Sequence, residues 1–180
     1  EPPLVAFAAW SDPRRSLALL IRAMRLLPVD VPPFRLTVTG GEELSWRENL
    51  IIPRRLRGTV TLAGGLPYGQ DSIICAPYAT ISHASAILEA MAAGAVAVVP
   101  GQGGLRELVR ESSEGLLLDH PYSYNLAASL VDLLRDPGRR RSLGQAAAKR
   151  ARSRSWSTVG PLTEKAYRAA HGRRQRRPVP

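Results

Sequence analysis

The sequence has one cysteine, two phenylalanines, two methionines and only two lysines among its 180 residues. With Cys75 alone, neither a disulfide framework nor a cysteine-ligated zinc site can form within the chain. It sits in a strand-like run, "SIICAP", and reads as a small buried core residue rather than a nucleophile. A reducing cytoplasm fits this cysteine usage, and a cytoplasmic protein is expected. No run reaches the roughly 20 apolar residues that a membrane-spanning helix needs. The opening "EPPLVAFAAW" has no basic n-region, so no secretory signal is expected. The three histidines, His83, His120 and His171, have no partners at metal-ligand spacing, so no metal site is read. No Ser-His-Asp or Cys-His pattern has a recognisable context.

Hydrophobic residues make up 44% of the chain, ordinary for a globular protein. At this length one domain can bury a real core. The net charge is +10, and it is not spread evenly. Residues 1–134 carry a net charge of −2, whereas residues 135–180 carry 14 cations against two carboxylates. The body is therefore near neutral and the cation excess lies on a C-terminal arm. That arm either meets a polyanion or forms a solvated helix face. It has few interleaved aromatics and no known nucleic-acid motif, so nucleic acid is not expected. Anionic lipid headgroups remain open, which would place the protein at the membrane periphery.

Short apolar runs alternate with amphipathic segments. Strands are predicted at 4–10, 34–41, 58–65, 72–77, 95–99 and 115–119. Helices are predicted at "SDPRRSLALLIRAMRLLP", "EELSWRENLI", 85–93, 104–111, 122–137 and 138–156, with a last one after Trp156. Ser11 or Asp12 can cap the first helix, with Pro13 in its first turn. Strands alternating with helices predict an α/β fold, a Rossmann-like three-layer sandwich with a mostly parallel sheet and helices on both faces. In such sheets ligands bind at the carboxyl ends of the strands.

One stretch carries chemistry: "ILEAMAAGAVAVVPGQGG", residues 87–104. Glu89 is a lone carboxylate in an oily helix, directly before a strand that closes on glycines. By itself it is either a ligand group or a surface glutamate. "GQGG" could receive oxygens on bare backbone amides, but a plain turn uses glycine equally well.

"ILEAMAAGAVAVVPGQGGLRELV" followed by "EGLLLD" resembles the donor-binding half of GT-B fold glycosyltransferases, family 4 in particular. "LVDLLRDPGRRRSLGQAAAKRARSRSWSTV" resembles that family's closing helices, and "DPRRSLALLIRAMRLLP" its first helix. The resemblance runs from about Leu4 to His171. It implies that residues 1–172 form a nucleotide-sugar-binding Rossmann-like domain, leaving 173–180 as a basic disordered tail. It implies that Glu89 holds the ribose hydroxyls. The loop Ser82, His83, Ala84 and Ser85, which opens the Glu89 helix, would offer backbone N–H groups to the diphosphate, as helix N-termini do. Gly103 and Gly104 would receive phosphate or sugar oxygens. Glu107 matches the acidic residue after the double glycine; loop support and ligand contact stay open for it.

The family pattern fails at four places. Its carboxylate pair, E-x7-E, puts Ile81 at the first position, which cannot accept a hydrogen bond. The cations usual after the first strand read Trp10 and Arg15. Arg15 keeps a charge and can hold phosphate in bidentate fashion; otherwise it is a solvated residue on the first helical turn. His83, where the family has an aromatic residue, could donate to phosphate when charged or lie exposed. The connection "LAGGLPYGQ" is too short for the usual helix before the fourth strand, so strain or a local change of topology is expected there.

The resemblance implies transfer of a sugar from a nucleotide diphosphate to an acceptor hydroxyl, with retention at the anomeric carbon. No obligatory metal and no cofactor are implied, and no catalytic base is assigned. The acceptor and much of the catalytic surface would come from an N-terminal lobe, a partner this sequence does not include. The alternative is a degenerate, non-catalytic lobe that binds or scaffolds. Sugar, nucleotide base and acceptor are not legible.

Overall fold

The computed structural model describes residues 1–9, 13–39, 54–65 and 67–175. Trp10, Ser11 and Asp12, the predicted helix "EELSWRENLI" and residues 176–180 lie outside the described residues. Six strands form one sheet: β1 (Leu4–Ala8), β2 (Arg35–Thr39), β3 (Val60–Leu62), β4 (Ile73–Cys75), β5 (Val96–Pro100) and β6 (Gly115–Leu118). Their order is β3-β2-β1-β4-β5-β6, and every pairing is parallel. The helices are α1 (Pro13–Leu26), α2 (Ala84–Ala92), α3 (Leu105–Leu108), α4 (Ser123–Arg135), α5 (Pro137–Arg152) and α6 (Trp156–Gln175). This is the doubly wound order, in which the chain reverses direction across the sheet between β1 and β4.

The two-residue period of the strands sorts the core into two layers. Val5, Phe7, Leu36, Val38, Ile73, Cys75, Val96 and Val98 pack on one face with Leu17, Leu20 and Met24 of α1 and Leu126, Leu130 and Leu133 of α4. Ile74, Ala97 and Val99 face the other way, onto Ile87, Ala90 and Met91 of α2 and Ala147 of α5. Both faces of the sheet are therefore covered, which is why these strands read as unbroken apolar runs. Small residues let α5 approach the α2–β5 turn closely. A methyl group on Gly144 would lie 2.3 Å from the Gly94 carbonyl oxygen. Helix α5 starts where the sequence signals it: the Asp136 side chain accepts the Arg139 N–H at 2.8 Å, and Pro137 takes the first turn.

The short connection between β3 and β4 does not disturb the topology. Residues 63–72 hold no helix among the described residues, yet the strands they join stay parallel with their neighbours. The strands are three spacings apart, about 14 Å at roughly 4.8 Å each. Ten residues can reach about 33 Å when extended, so an extended crossover suffices. Among the described non-glycine residues of this connection, positive φ occurs at Asp71, 67°. Its carboxylate is gripped by both Nε and Nη2 of Arg140 at 3.0 Å, and Arg140 Nη1 donates to the Leu133 carbonyl at 2.7 Å.

Helix α6 continues to Gln175, past the expected boundary at 172, and its described side chains are mostly exposed, including Trp156, Leu162 and Tyr167. No helix of the described residues is long and apolar enough to cross a membrane.

Candidate functional site at the carboxyl ends of β4 and β5

Two turns leave the sheet side by side at its carboxyl edge. After β4 the chain makes a short 3-10 turn, Ile81–His83, that runs directly into α2. Thr80 precedes it in extended conformation, with φ −120° and ψ 177°. The turn is fastened by its own polar groups. The Thr80 N–H donates to His83 Nδ1 at 3.1 Å, and Thr80 Oγ1 lies 2.7 Å from Ser82 Oγ. His83 thus fills the role of the reciprocal glutamate in a capping box. Because Nδ1 accepts from the backbone, the ring can donate only through Nε2. The N–H groups of Ile81 and Ser82 meet no carbonyl among the described residues. They are the orphan donors of a helix start.

After β5 comes Gly101–Gly104. Gly103 has φ +54°, so this position of the turn favours glycine for its backbone. Gly104 has ordinary angles, φ −65° and ψ −14°. It is confined by a neighbour instead: a methyl group on it would come 2.9 Å from Ile81 Cδ1. Its amide and that of Gly103 also meet no carbonyl among the described residues.

Between the two turns lies a cavity of about 410 Å³, within the usual size range of small-ligand sites. Its walls come from Tyr78, Thr80 and Ile81 on one side and Gln102, Gly103 and Gly104 on the other, with Pro77, Pro100 and Pro121 around them. Among the described residues, no acidic or basic side chain lines it. Arg15 approaches through Tyr78: its guanidinium stands over that ring, 5.1 Å from the centroid, a cation–π distance. Arg106 lies by the turn as well, 3.7 Å from where a Gly101 methyl would project.

Of the residues singled out in the sequence, Ile81, Gly103 and Gly104 converge on this cavity, and Arg15 stands at its edge. Ser82, His83, Ala84 and Ser85 form the helix start beside it. Glu89 is not in its lining. It lies one and a half turns along α2, exposed, and its Oε2 accepts the Tyr68 O–H at 3.1 Å. Burial raises the Tyr68 pKa first, and the hydrogen bond and charge of Glu89 raise it further, so the phenol is the donor. The Glu107 side chain is exposed, while its carbonyl accepts from Nη2 of Arg150 at 2.6 Å and of Arg154 at 3.3 Å. Tyr68 escaped sequence reasoning because it sits in an aperiodic connection. The only signal was the missing helix there.

A family model described as "Glycosyl transferases group 1" matches residues 1–150. The chain is 32% identical over 179 residues to the D-inositol 3-phosphate glycosyltransferase of Salinispora tropica, with 89% of this chain and 37% of that protein covered. It is similar in structure to sucrose-phosphate synthase from Thermosynechococcus elongatus, with TM-score 0.74 and 22% identity over 96% of this chain and 46% of that one. It is also similar to Anabaena HepE in complex with UDP and glucose, with TM-score 0.69 and 18% identity over 94% and 48%. The chain thus spans less than half the length of each of these proteins.

Proposed function

The chain belongs to the glycosyl transferases group 1, and on that footing we propose that it is the lobe that binds a nucleotide diphosphate sugar. The whole protein would transfer the sugar to an acceptor hydroxyl, with an N-terminal lobe supplying the acceptor. The observation that carries this reading is the cavity between the Ile81–His83 turn and the glycine turn, at which the Ile81, Gly103 and Gly104 N–H groups meet no backbone carbonyl among the described residues. Helix-start amides favour a phosphate, whose charge they meet with fixed partial charges. Arg15 adds a full charge at the rim.

The family-4 resemblance adds retention at the anomeric carbon and a leaving diphosphate neutralised without a metal. The chain's part in that step is electrostatic: N–H dipoles and cations fixed in place before charge develops on the leaving group. Glu89, with one oxygen held by Tyr68, has Oε1 available for a ribose hydroxyl.

Calorimetric titration of the chain with UDP and with GDP tests the reading. Saturable binding is expected, weakened about tenfold or more by Glu89→Ala, since hydrogen bonds to a charged group are worth roughly 1.5–3 kcal/mol. No binding by the folded chain would favour the second reading, a lobe that has lost its donor site. Ile81 at the carboxylate position, lying against Gly104, is what favours that alternative.

A contact of the basic arm with anionic lipid is proposed on the exposed Trp156, Leu162 and Tyr167 of the otherwise cation-rich α6. Sedimentation with anionic vesicles at low salt tests it, and absence of binding there would remove it.

A further inference from the structure

We infer that Tyr122 and Tyr124 form an acceptor subsite, on which a pyranose ring of the acceptor lies. This rests on the donor-lobe reading and adds to it an acceptor class and its place on this lobe. The chain leaving β6 runs along the cavity, with Pro121 in its wall. Rings stand on both sides of this proline. The His120 and Tyr122 centroids are 5.4 Å apart with planes at 45°, and Tyr122 stacks with Tyr124 at 5.5 Å and 25°. Large aromatic side chains gain much from burial, yet Tyr122 is 51% exposed and Tyr124 60%.

The loop that carries the rings is held in place. The His120 carbonyl accepts from the Tyr122 N–H at 2.8 Å and from Asn125 Nδ2 at 3.1 Å. The Gly101 N–H donates to the Leu118 carbonyl at 2.8 Å, which ties the end of β6 to the glycine turn. Rings fixed in advance lower the ordering cost of a ligand that rests on them. Their side of the sheet says which ligand. Helix α4, which begins at Ser123, packs on one face through Leu126 and Leu130. Helix α2, which bears Glu89, packs on the other through Ile87 and Met91. A nucleoside held by Glu89 therefore lies on the α2 side, and the tyrosines lie on the α4 side of the same carboxyl edge. An acceptor must approach the cavity from a side that the nucleotide leaves open. A pyranose suits the stack, because its axial C–H groups form an apolar face that meets the negative face of an aromatic ring. Its hydroxyls stay in water around the rim.

The test uses this chain, first titrated with UDP and GDP. Saturation-transfer NMR then follows methyl β-glucopyranoside and methyl α-mannopyranoside with the bound nucleotide present. Sorbitol, a polyol without a rigid ring face, is the control. Both glycosides are expected to bind, and more tightly than sorbitol. Tyr122→Ala and Tyr124→Ala should each weaken them about threefold to tenfold, the scale of one aromatic contact. Tyr→Phe at either position should keep the binding. Nucleotide affinity should be the same in all four variants. If the glycosides do not bind, if sorbitol binds equally well, or if the alanine variants bind the glycosides unchanged, the inference is overturned and the donor-lobe reading stands on the nucleotide titration. If the alanine variants weaken UDP or GDP as much as the glycosides, the rings serve the nucleoside, and the inference is again overturned. If neither UDP nor GDP binds, the donor-lobe reading fails and the inference falls with it.

Discussion

Ile81 lies against Gly104, so close that a methyl group on the Gly104 α-carbon would come within 2.9 Å of Ile81 Cδ1. The Gly104 backbone would accept alanine, with φ −65° and ψ −14°. Any cost of Gly104→Ala therefore comes from Ile81. Because Ile81 is exposed, it can swing away, and we predict a loss of no more than about 1 kcal/mol. In Ile81→Ala the same substitution should cost nothing. A double-mutant cycle by urea denaturation measures the difference, and additive effects would show that the two residues do not constrain each other.

Tyr68 holds Glu89 through a single hydrogen bond at an exposed position. Tyr68→Phe should barely change stability, since such bonds contribute about 1 kcal/mol at most. It should weaken UDP or GDP binding severalfold by releasing the Glu89 rotamer, and less than Glu89→Ala does. Tighter binding in Tyr68→Phe would mean that the phenol competes with the nucleotide for Glu89 rather than orienting it.

Asp71 and Arg140 form an asymmetric ion pair. Arg140 is 3% exposed and Asp71 39%. Removing one partner of a buried pair costs about 3–5 kcal/mol, less here because water reaches Asp71. Asp71→Asn leaves a buried cation short of its counter-charge, whereas Arg140→Met leaves a carboxylate that water can reach. The asparagine variant should therefore be the less stable of the two. Thermal melts of both decide it, and the reverse order would refute the argument.

Cys75 is fully buried, and burial pushes its pKa from the ordinary 9.0 up to about 12. The native thiol should not react with Ellman's reagent at pH 8, and labelling should track unfolding in denaturant. The folded chain keeps this proton more tightly than the unfolded chain. The resulting stabilisation is complete below about pH 9 and is lost as pH rises toward 12. Cys75→Ala should show a shallower loss of stability over that window.

Much of the fold was legible because it is local. The apolar runs at 4–10 and 95–99 and the proline-led starts of α1 and α5 are set by side-chain period and capping, which act over a few residues. The double glycine was legible as a turn but not as to cause: Gly103 serves backbone geometry, while Gly104 serves a neighbour 23 positions away.

What the sequence determined by itself was the alternation of elements, the burial of Cys75 and the segregation of cations at the C-terminus. Each follows from composition or a short repeat. Tertiary structure alone decided that Tyr68 meets Glu89, that Asp71 meets Arg140 across 69 positions, and that residues 63–72 cross without a helix. Those depend on where a three-dimensional sheet brings distant atoms within a few ångströms. Pairing of that kind carries no periodic signal, because the closing distance is set by strand order and layer spacing rather than by neighbours along the chain.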